Sequence, residues 1–196
     1  MNDILAATGN AHKVLEMSAI LAPAGIRLLR PQDVGGIPEV IEDGASFREN
    51  AVKKACEIAA ATGRRVVADD SGLEVAALGG EPGVLSARYA GAGGNDGRNV
   101  RKLLDRLAGV ADRRARFVCV IAVADPTGLV GTAEGEVRGQ IIAAPRGDGG
   151  FGYDPVFVPA GHEQTFAELP AALKNGMSHR GNALAAALAQ GLFVAG

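Results

Sequence analysis

Four stretches of this chain carry side chains that could grip and cleave a phosphorylated ligand. They are Thr8-Gly9-Asn10-Ala11-His12-Lys13, Asp69-Asp70-Ser71-Gly72, Gly147-Asp148-Gly149-Gly150-Phe151-Gly152-Tyr153-Asp154-Pro155, and Ser178-His179-Arg180-Gly181-Asn182. The cations sit in unusual places. Lys13 falls in the first turn of a helix if Asn10 caps it, and His179 and Arg180 do the same if Ser178 caps the last helix. A helix N-terminus already carries about half a positive charge, so an exposed cation there is unfavourable by ~0.3–1 kcal/mol. A bound anion reverses the sign, because backbone N–H groups and cations then converge on it. The competing reading is that these side chains simply extend into water.

The acids complement the cations. Asp69 and Asp70 follow the buried-strand pattern Arg65–Ala68, and neighbouring side chains on a strand point to opposite faces. One carboxylate is then expected to meet a ligand while the other serves the fold; alternatively the pair opens a turn with Ser71 and Gly72. Glu39, Glu42 and Asp43 add a second acidic cluster. Magnesium commonly takes one or two carboxylates, waters and substrate phosphates. The histidines (His12, His162, His179) and cysteines (Cys56, Cys119) offer no zinc spacing. The chain also lacks a Walker phosphate loop and a G-x-S-x-G elbow.

The glycine run concentrates conformational freedom beside two aromatic rings and carboxylates. Glycines there cost chain entropy, so the run is expected to let the backbone approach a ligand. Phe151 or Tyr153 could lie against a base, or could plug the loop as core aromatics.

The elements that would position these residues follow from hydrophobic periodicity. Asp3–Ala7 reads as a strand that turns into a helix with Val14, Met17 and Leu21 on one face. A strand at Ile26–Leu29 precedes a Pro- and Gly-rich loop, Pro31–Gly44. Ser46 and Glu49 have capping-box spacing ahead of a helix that buries Phe47, Ala51, Ala55 and Ile58 and stops at Gly63. Short strands are expected at Arg65–Ala68 and Leu73–Ala76, then a helix from Asp96 to Leu107. Arg116–Ala124 and Leu129–Val137 form a hairpin around Asp125-Pro126-Thr127-Gly128. Gln140–Ala143 extends it, and Val156–Val158 is a further strand. Helices at Phe166–Leu173 and from His179 to about Phe193 complete the reading. The expected fold is α/β: a mixed, strongly twisted sheet flanked by helices, in an elongated two-lobed single domain over residues 1–196 with a central cleft.

Composition narrows the function classes. At 196 residues, with 47% hydrophobic and 21% charged residues, the chain can bury a core without staples. A net charge of −2 and the lack of a basic stripe argue against a nucleic-acid partner. Cys56 and Cys119 read as reduced core thiols. No signal peptide is evident, and the longest uncharged stretch, Gly181–Gly196, falls short of a membrane span. A cytoplasmic protein without membrane contact is expected.

Taken together, the motifs resemble the inosine/xanthosine triphosphate pyrophosphatase family. The matching segments are Thr8-Gly9-Asn10 with Lys13 and Glu16; Ser46-Phe47 with Glu49-Asn50-Ala51; Ala68-Asp69-Asp70-Ser71-Gly72-Leu73; and Leu78-Gly79-Gly80 with Pro82-Gly83. Ser86-Ala87-Arg88-Tyr89, Gly149–Pro155 and Ser178-His179-Arg180-Gly181 continue in the same order to the end of the chain. The resemblance implies a homodimeric, Mg²⁺-dependent hydrolase that converts ITP, dITP and XTP to the monophosphate and pyrophosphate. By position, it implies that Thr8, Gly9, Asn10, Ala11, His12 and Lys13 grip the triphosphate. Asp70 becomes the catalytic carboxylate and metal partner, with Glu42 assisting at the metal and Lys13 supporting catalysis. Ser71, Phe151, Gly152, Tyr153 and Asp154 would contact the nucleotide, and Lys174, His179 and Arg180 would reach the substrate, at the base edge. Two rival readings use the same parts: a triphosphatase releasing orthophosphate, and a purine-nucleotide-binding regulator without turnover.

Overall fold

A computed structural model describes residues 2–194. Six strands form one mixed sheet in the order β2-β1-β3-β4-β5-β6. The strands are β1 (Asn2–Ala6), β2 (Ile26–Leu29), β3 (Val66–Val75), β4 (Arg114–Asp125), β5 (Gly128–Ile141) and β6 (Phe157–Pro159). The helices are α1 (Ala11–Leu21), α2 (Phe47–Thr62), α3 (Asp96–Arg106), α4 (Ala171–Met177) and α5 (His179–Ala189). The α/β expectation is met. The chain separates into two compact units: Met1–Asp70, Cys119–Gly135 and His179–Gly196 make the first; Ser71–Val118 and Glu136–Ser178 make the second.

In the first unit, β1 runs parallel to β2, pairing Asn2 with Ile26 and Leu5 with Leu29, and parallel to β3, pairing Leu5 with Val66. Parallel neighbours need a crossover, and α1 supplies it for β1 and β2. Its Val14, Met17 and Leu21 stripe is buried with Ile4, Val67, Ile121 and Leu184 in one apolar cluster. Asn10 caps α1 as expected, its side chain accepting from the His12 and Lys13 N–H groups. At α2, Ser46 accepts from the Glu49 N–H at 3.2 Å, while the Glu49 carboxylate reaches the Ala45 N–H at 2.8 Å, one residue before the box position. Gly63 ends α2 in the left-handed conformation at φ 64°.

In the second unit, Leu73, Val100, Leu103, Phe117, Ile141, Tyr153, Phe157 and Phe166 build a separate core. β5 pairs antiparallel with β6, Gln140 opposite Val158. β4 and β5 are sheet neighbours joined by only Pro126 and Thr127, a hairpin by the short-connection rule.

Three expectations are corrected. Asp69-Asp70-Ser71-Gly72 is not the end of a strand: it lies inside β3, which runs unbroken for 10 residues. β3 is flanked by strands on both sides, and those ladder bonds override the local turn tendency of Asp, Ser and Gly. The helix expected at Phe166–Leu173 instead spans Ala171–Met177, with Pro170 as its N-cap. Proline disfavours a helical residue before it, so the turn over 166–169 cannot continue into α4. A short 3-10 helix at Gly83–Arg88 also stands where the sequence reads as loop.

Candidate active site

Asp69 and Asp70 stand side by side on β3 in sharply different surroundings. The Asp69 carboxylate is buried, with 1% of the residue exposed. It pairs with the Lys13 ammonium, accepts from Arg180 Nε at 2.9 Å, and lies 3.0 Å from the Cys119 thiol. Burial pushes its pKa up, but the Arg180 and Lys13 charges outweigh this and hold the carboxyl well below its ordinary value. Arg180 also pairs with Glu16 of α1. One buried guanidinium thus ties the start of α5 to α1 and β3. The same contacts push the Cys119 thiol well up, burial first and then the Asp69 charge, so it is no thiolate nucleophile.

Asp70 is less well served. Its Oδ1 lies 3.2 Å from the Lys54 ammonium, and its buried Oδ2 has no hydrogen-bond partner among the described residues. Burial is the largest influence on it and raises its pKa, against the pull of Lys54 and Lys13. Lys54 comes from α2 and is 7% exposed. It also reaches Glu42 at 3.0 Å and donates to the Asp69 carbonyl at 2.8 Å. Burial works against its charge, yet Asp70, Glu42 and Asp69 together raise its pKa, so it stays an ammonium.

Lys54 was absent from the sequence reading, although a signal existed. It lies three residues past Ala51 and four before Ile58, on the apolar stripe of a helix, where a lysine needs a buried anion. Glu16 and Asp69 are likewise members of the cluster that the candidate site omitted.

The donor set suits a hard cation. Asp70 and Glu42 converge on one lysine, and the orphaned Asp70 Oδ2 is an oxygen ready for another partner. Among the described residues no three His, Cys, Asp or Glu side chains form a metal cluster. Magnesium tolerates this, because water and substrate phosphate complete its shell.

The segment Thr8–Lys13 is largely self-organised. Thr8 Oγ1 accepts the Asn10 N–H at 3.1 Å, and Asn10 Oδ1 accepts the His12 and Lys13 N–H groups at 3.0 and 3.2 Å. The amide oxygen of Asn10 therefore fills part of the donor row that an anion was expected to meet. Gly9, Asn10, Ala11 and His12 are exposed, and Gly9 has open space where a side chain would stand. Lys13 does not extend into water; it turns toward Asp69. His179 and Arg180 are buried at the start of α5.

The second unit holds Phe151 and Tyr153. Asp154 Oδ2 accepts the Phe151 N–H at 2.9 Å and also pairs with the Lys174 ammonium of α4. That ammonium lies 5.2 Å from the Phe151 ring centroid and 5.7 Å from that of Phe166, within cation–π range. Tyr153 proves to be the plug: it is 4% exposed, and its hydroxyl donates to the Ser86 carbonyl at 2.9 Å. Phe151 stays half-buried, as does Ser71. The glycine run also requires a correction, because what its backbone approaches is its own chain. A Cβ at Gly150 would stand 2.1 Å from Asp154 Oδ2, and one at Gly147 would stand 2.7 Å from the Ala167 backbone.

A lysine-flanked aspartate with a partnerless oxygen, an α1 grip loop and an aromatic–lysine pair now have coordinates. The Ham1 family model matches residues 4–190 of the sequence. The chain belongs to the Ham1 family. A dITP/XTP pyrophosphatase of Desulfotalea psychrophila is 52% identical over 182 residues, covering 93% of this chain and 82% of that one. One from Bacillus licheniformis is 50% identical over 186 residues, covering 94% and 95%. The solved HAM1 protein of Coxiella burnetii superposes with a TM-score of 0.86 at 40% identity, over 98% of both chains. The motif resemblance and the α/β fold therefore agree with this Ham1 family membership. Among the described residues no helix is long and apolar enough to cross a membrane.

Proposed function

We propose that this Ham1 family chain hydrolyses the non-standard purine nucleotides dITP, XTP and ITP to the nucleoside monophosphate and pyrophosphate, with Mg²⁺ as cofactor. The observation that carries the reading is Asp70, a buried carboxylate with raised pKa and one oxygen without a partner, beside Lys54 and Glu42. Relatives about half identical over most of their length are dITP/XTP pyrophosphatases, which supports the substrate class.

In this mechanism Asp70 and Glu42 would hold the magnesium ion, which would supply charge neutralisation at the phosphates and a more acidic water. Asp70 accepts a proton from the water that attacks the α-phosphorus. Lys54 keeps Asp70 oriented and balances its charge. Lys13 has three donor hydrogens, so one can stay on Asp69 while another meets the developing charge on the leaving pyrophosphate. Asp69 and Arg180 form the buried frame that aims Lys13.

Base recognition is assigned through the family resemblance to Phe151 and Lys174. Phe151 offers a ring face, and Lys174 offers a donor for the 6-oxo group of hypoxanthine or xanthine. Adenine presents an amino group there, and a buried donor left facing it rejects the mismatch by up to about 10⁴–10⁵. Guanine shares the 6-oxo group, so discrimination against GTP must act at the 2-position. His179 belongs to the substrate side of the proposal through the family resemblance, whereas Arg180 is buried against Asp69 and Glu16 and serves the frame. A homodimer and a cytoplasmic setting join the proposal on the same resemblance. Light scattering of the purified chain checks the dimer.

The test is turnover of ITP, dITP, XTP, GTP and ATP side by side with Mg²⁺, detecting pyrophosphate. Rapid pyrophosphate release from the first three, with slow GTP and ATP, supports the reading. Orthophosphate as first product, or equal rates on ATP, rejects it.

A further inference from the structure

Asp96 stands at the first position of α3, yet the helix does not need it as a cap. Asn95 already fills that role, its side chain accepting the Arg98 N–H at 2.9 Å. The Asp96 carboxylate reaches out of its helix instead and accepts the Gly152 N–H at 2.7 Å, across 56 positions of sequence. Both residues belong to the second unit.

Gly152 is the pivot of the aromatic loop. Its φ is +62°, and a Cβ there would meet nothing within 4 Å, so backbone conformation rather than crowding makes it glycine. On one side, Tyr153 is anchored in the core through Ser86. On the other, Phe151 stays half-buried beside Lys174. With Tyr153 fixed, rotation about Gly152 sets where the Phe151 ring points. Asp154 holds the Phe151 N–H, and Asp96 holds the next one along. Two carboxylates from different elements thus clamp two successive backbone donors, one just before the pivot and one on the pivot itself.

We infer that Asp96 is a positioning residue for base recognition: through the Gly152 N–H it holds the Phe151 ring in register with Lys174. This rests on the proposed purine triphosphate reading for its kinetic consequence, but not for its structural one. Asp96 touches no reacting atom, so its loss should weaken substrate capture and leave the chemical step intact.

The experiment uses full-length wild type, Asp96→Ala and Asp96→Asn. Loss of one hydrogen bond should raise KM for XTP about three- to ten-fold in Asp96→Ala, with kcat within about two-fold of wild type. Asp96→Asn keeps an acceptor oxygen and should recover most of the KM. Both variants remove the same negative charge from the start of α3, so equal KM defects in both would mean helix stabilisation alone and overturn the inference. An unchanged KM in Asp96→Ala would also overturn it. The second readout is the Gly152 amide in a ¹H–¹⁵N spectrum, which should lose its hydrogen-bonded shift in Asp96→Ala and largely regain it in Asp96→Asn. Wild type that releases no pyrophosphate from XTP or dITP sinks the functional reading. In that case the amide still decides the positioning claim: a Gly152 resonance unmoved by Asp96→Ala contradicts it.

Discussion

The two units bury lysines against aspartates to different ends. In the first unit, Lys13, Lys54 and Arg180 face Glu16, Glu42, Asp69 and Asp70, and the cluster still leaves Asp70 Oδ2 without a partner. In the second, one oxygen of Asp154 takes both the Phe151 N–H and the Lys174 ammonium, and neighbouring hydrogen bonds fix the loop around them. A buried polar atom without a partner costs about 1–3 kcal/mol. At Asp70 the proposed metal would supply the missing partner. The contrast teaches that the first unit holds reactive capacity and the second holds shape. Within β3 the same division separates two adjacent residues, Asp69 as frame and Asp70 as the reagent of the proposed function.

The largest effect should come from Asp70→Asn. Turnover should fall about 10³-fold or more, while thermal stability in metal-free protein at neutral pH stays at or above wild type. The sign follows from linkage: a carboxyl whose pKa is raised on folding makes stability fall as pH rises past its unfolded value. Ionised Asp70 is therefore a cost at pH 7 that Asn removes. A large loss of stability with retained turnover would reverse the proposed division of labour.

Asp69→Asn should do the opposite kind of damage. It leaves the buried Arg180 and Lys13 charges uncompensated, a loss of about 3–5 kcal/mol, read by urea unfolding. Asp69 has a depressed folded-state pKa, so its contribution is present above the unfolded carboxyl value near ~3.9 and disappears as pH falls through the folded one. The wild type should accordingly lose stability on acidification below ~4, more steeply than Asp69→Asn.

Lys174→Met probes the second unit. The ratio of kcat/KM for XTP over ATP should drop about 10²-fold, mostly through XTP. An unchanged ratio would move base selection away from Lys174.

The smallest contrast compares two glycines. Gly150→Ala meets Asp154 at 2.1 Å from a residue at φ +70°, and should cost about 1–3 kcal/mol. Gly9→Ala has open space and no positive φ, so stability should change by less than about 0.5 kcal/mol. Its KM should still rise if a triphosphate approaches that backbone.

Local chemistry was the most legible part of the sequence. Asn10 and Ser46 as caps, Gly63 as a stop, and the Val14, Met17 and Leu21 stripe all emerge from short-range rules. β3 did not, because Asp69–Gly72 has turn composition and its extension depends on placement within the sheet. The start of α4 was written in Pro170 and was overlooked. The candidate site was half legible. Sequence named Asp70 and Lys13, but which of two adjacent aspartates would hold Lys13 depends on the fold. Lys54 enters only once α2 is set against β3. The packing of the glycine run was not legible, because Ala167 lies 20 and 18 positions from the Gly147 and Gly149 that pack on it.

The central claim is that Asp70 directs water at the α-phosphorus. Hydrolysis of XTP in ¹⁸O-labelled water, with mass analysis of both products, tests it most directly. The account predicts label in the nucleoside monophosphate and none in the pyrophosphate. Label appearing in pyrophosphate, or in orthophosphate released first, would contradict it.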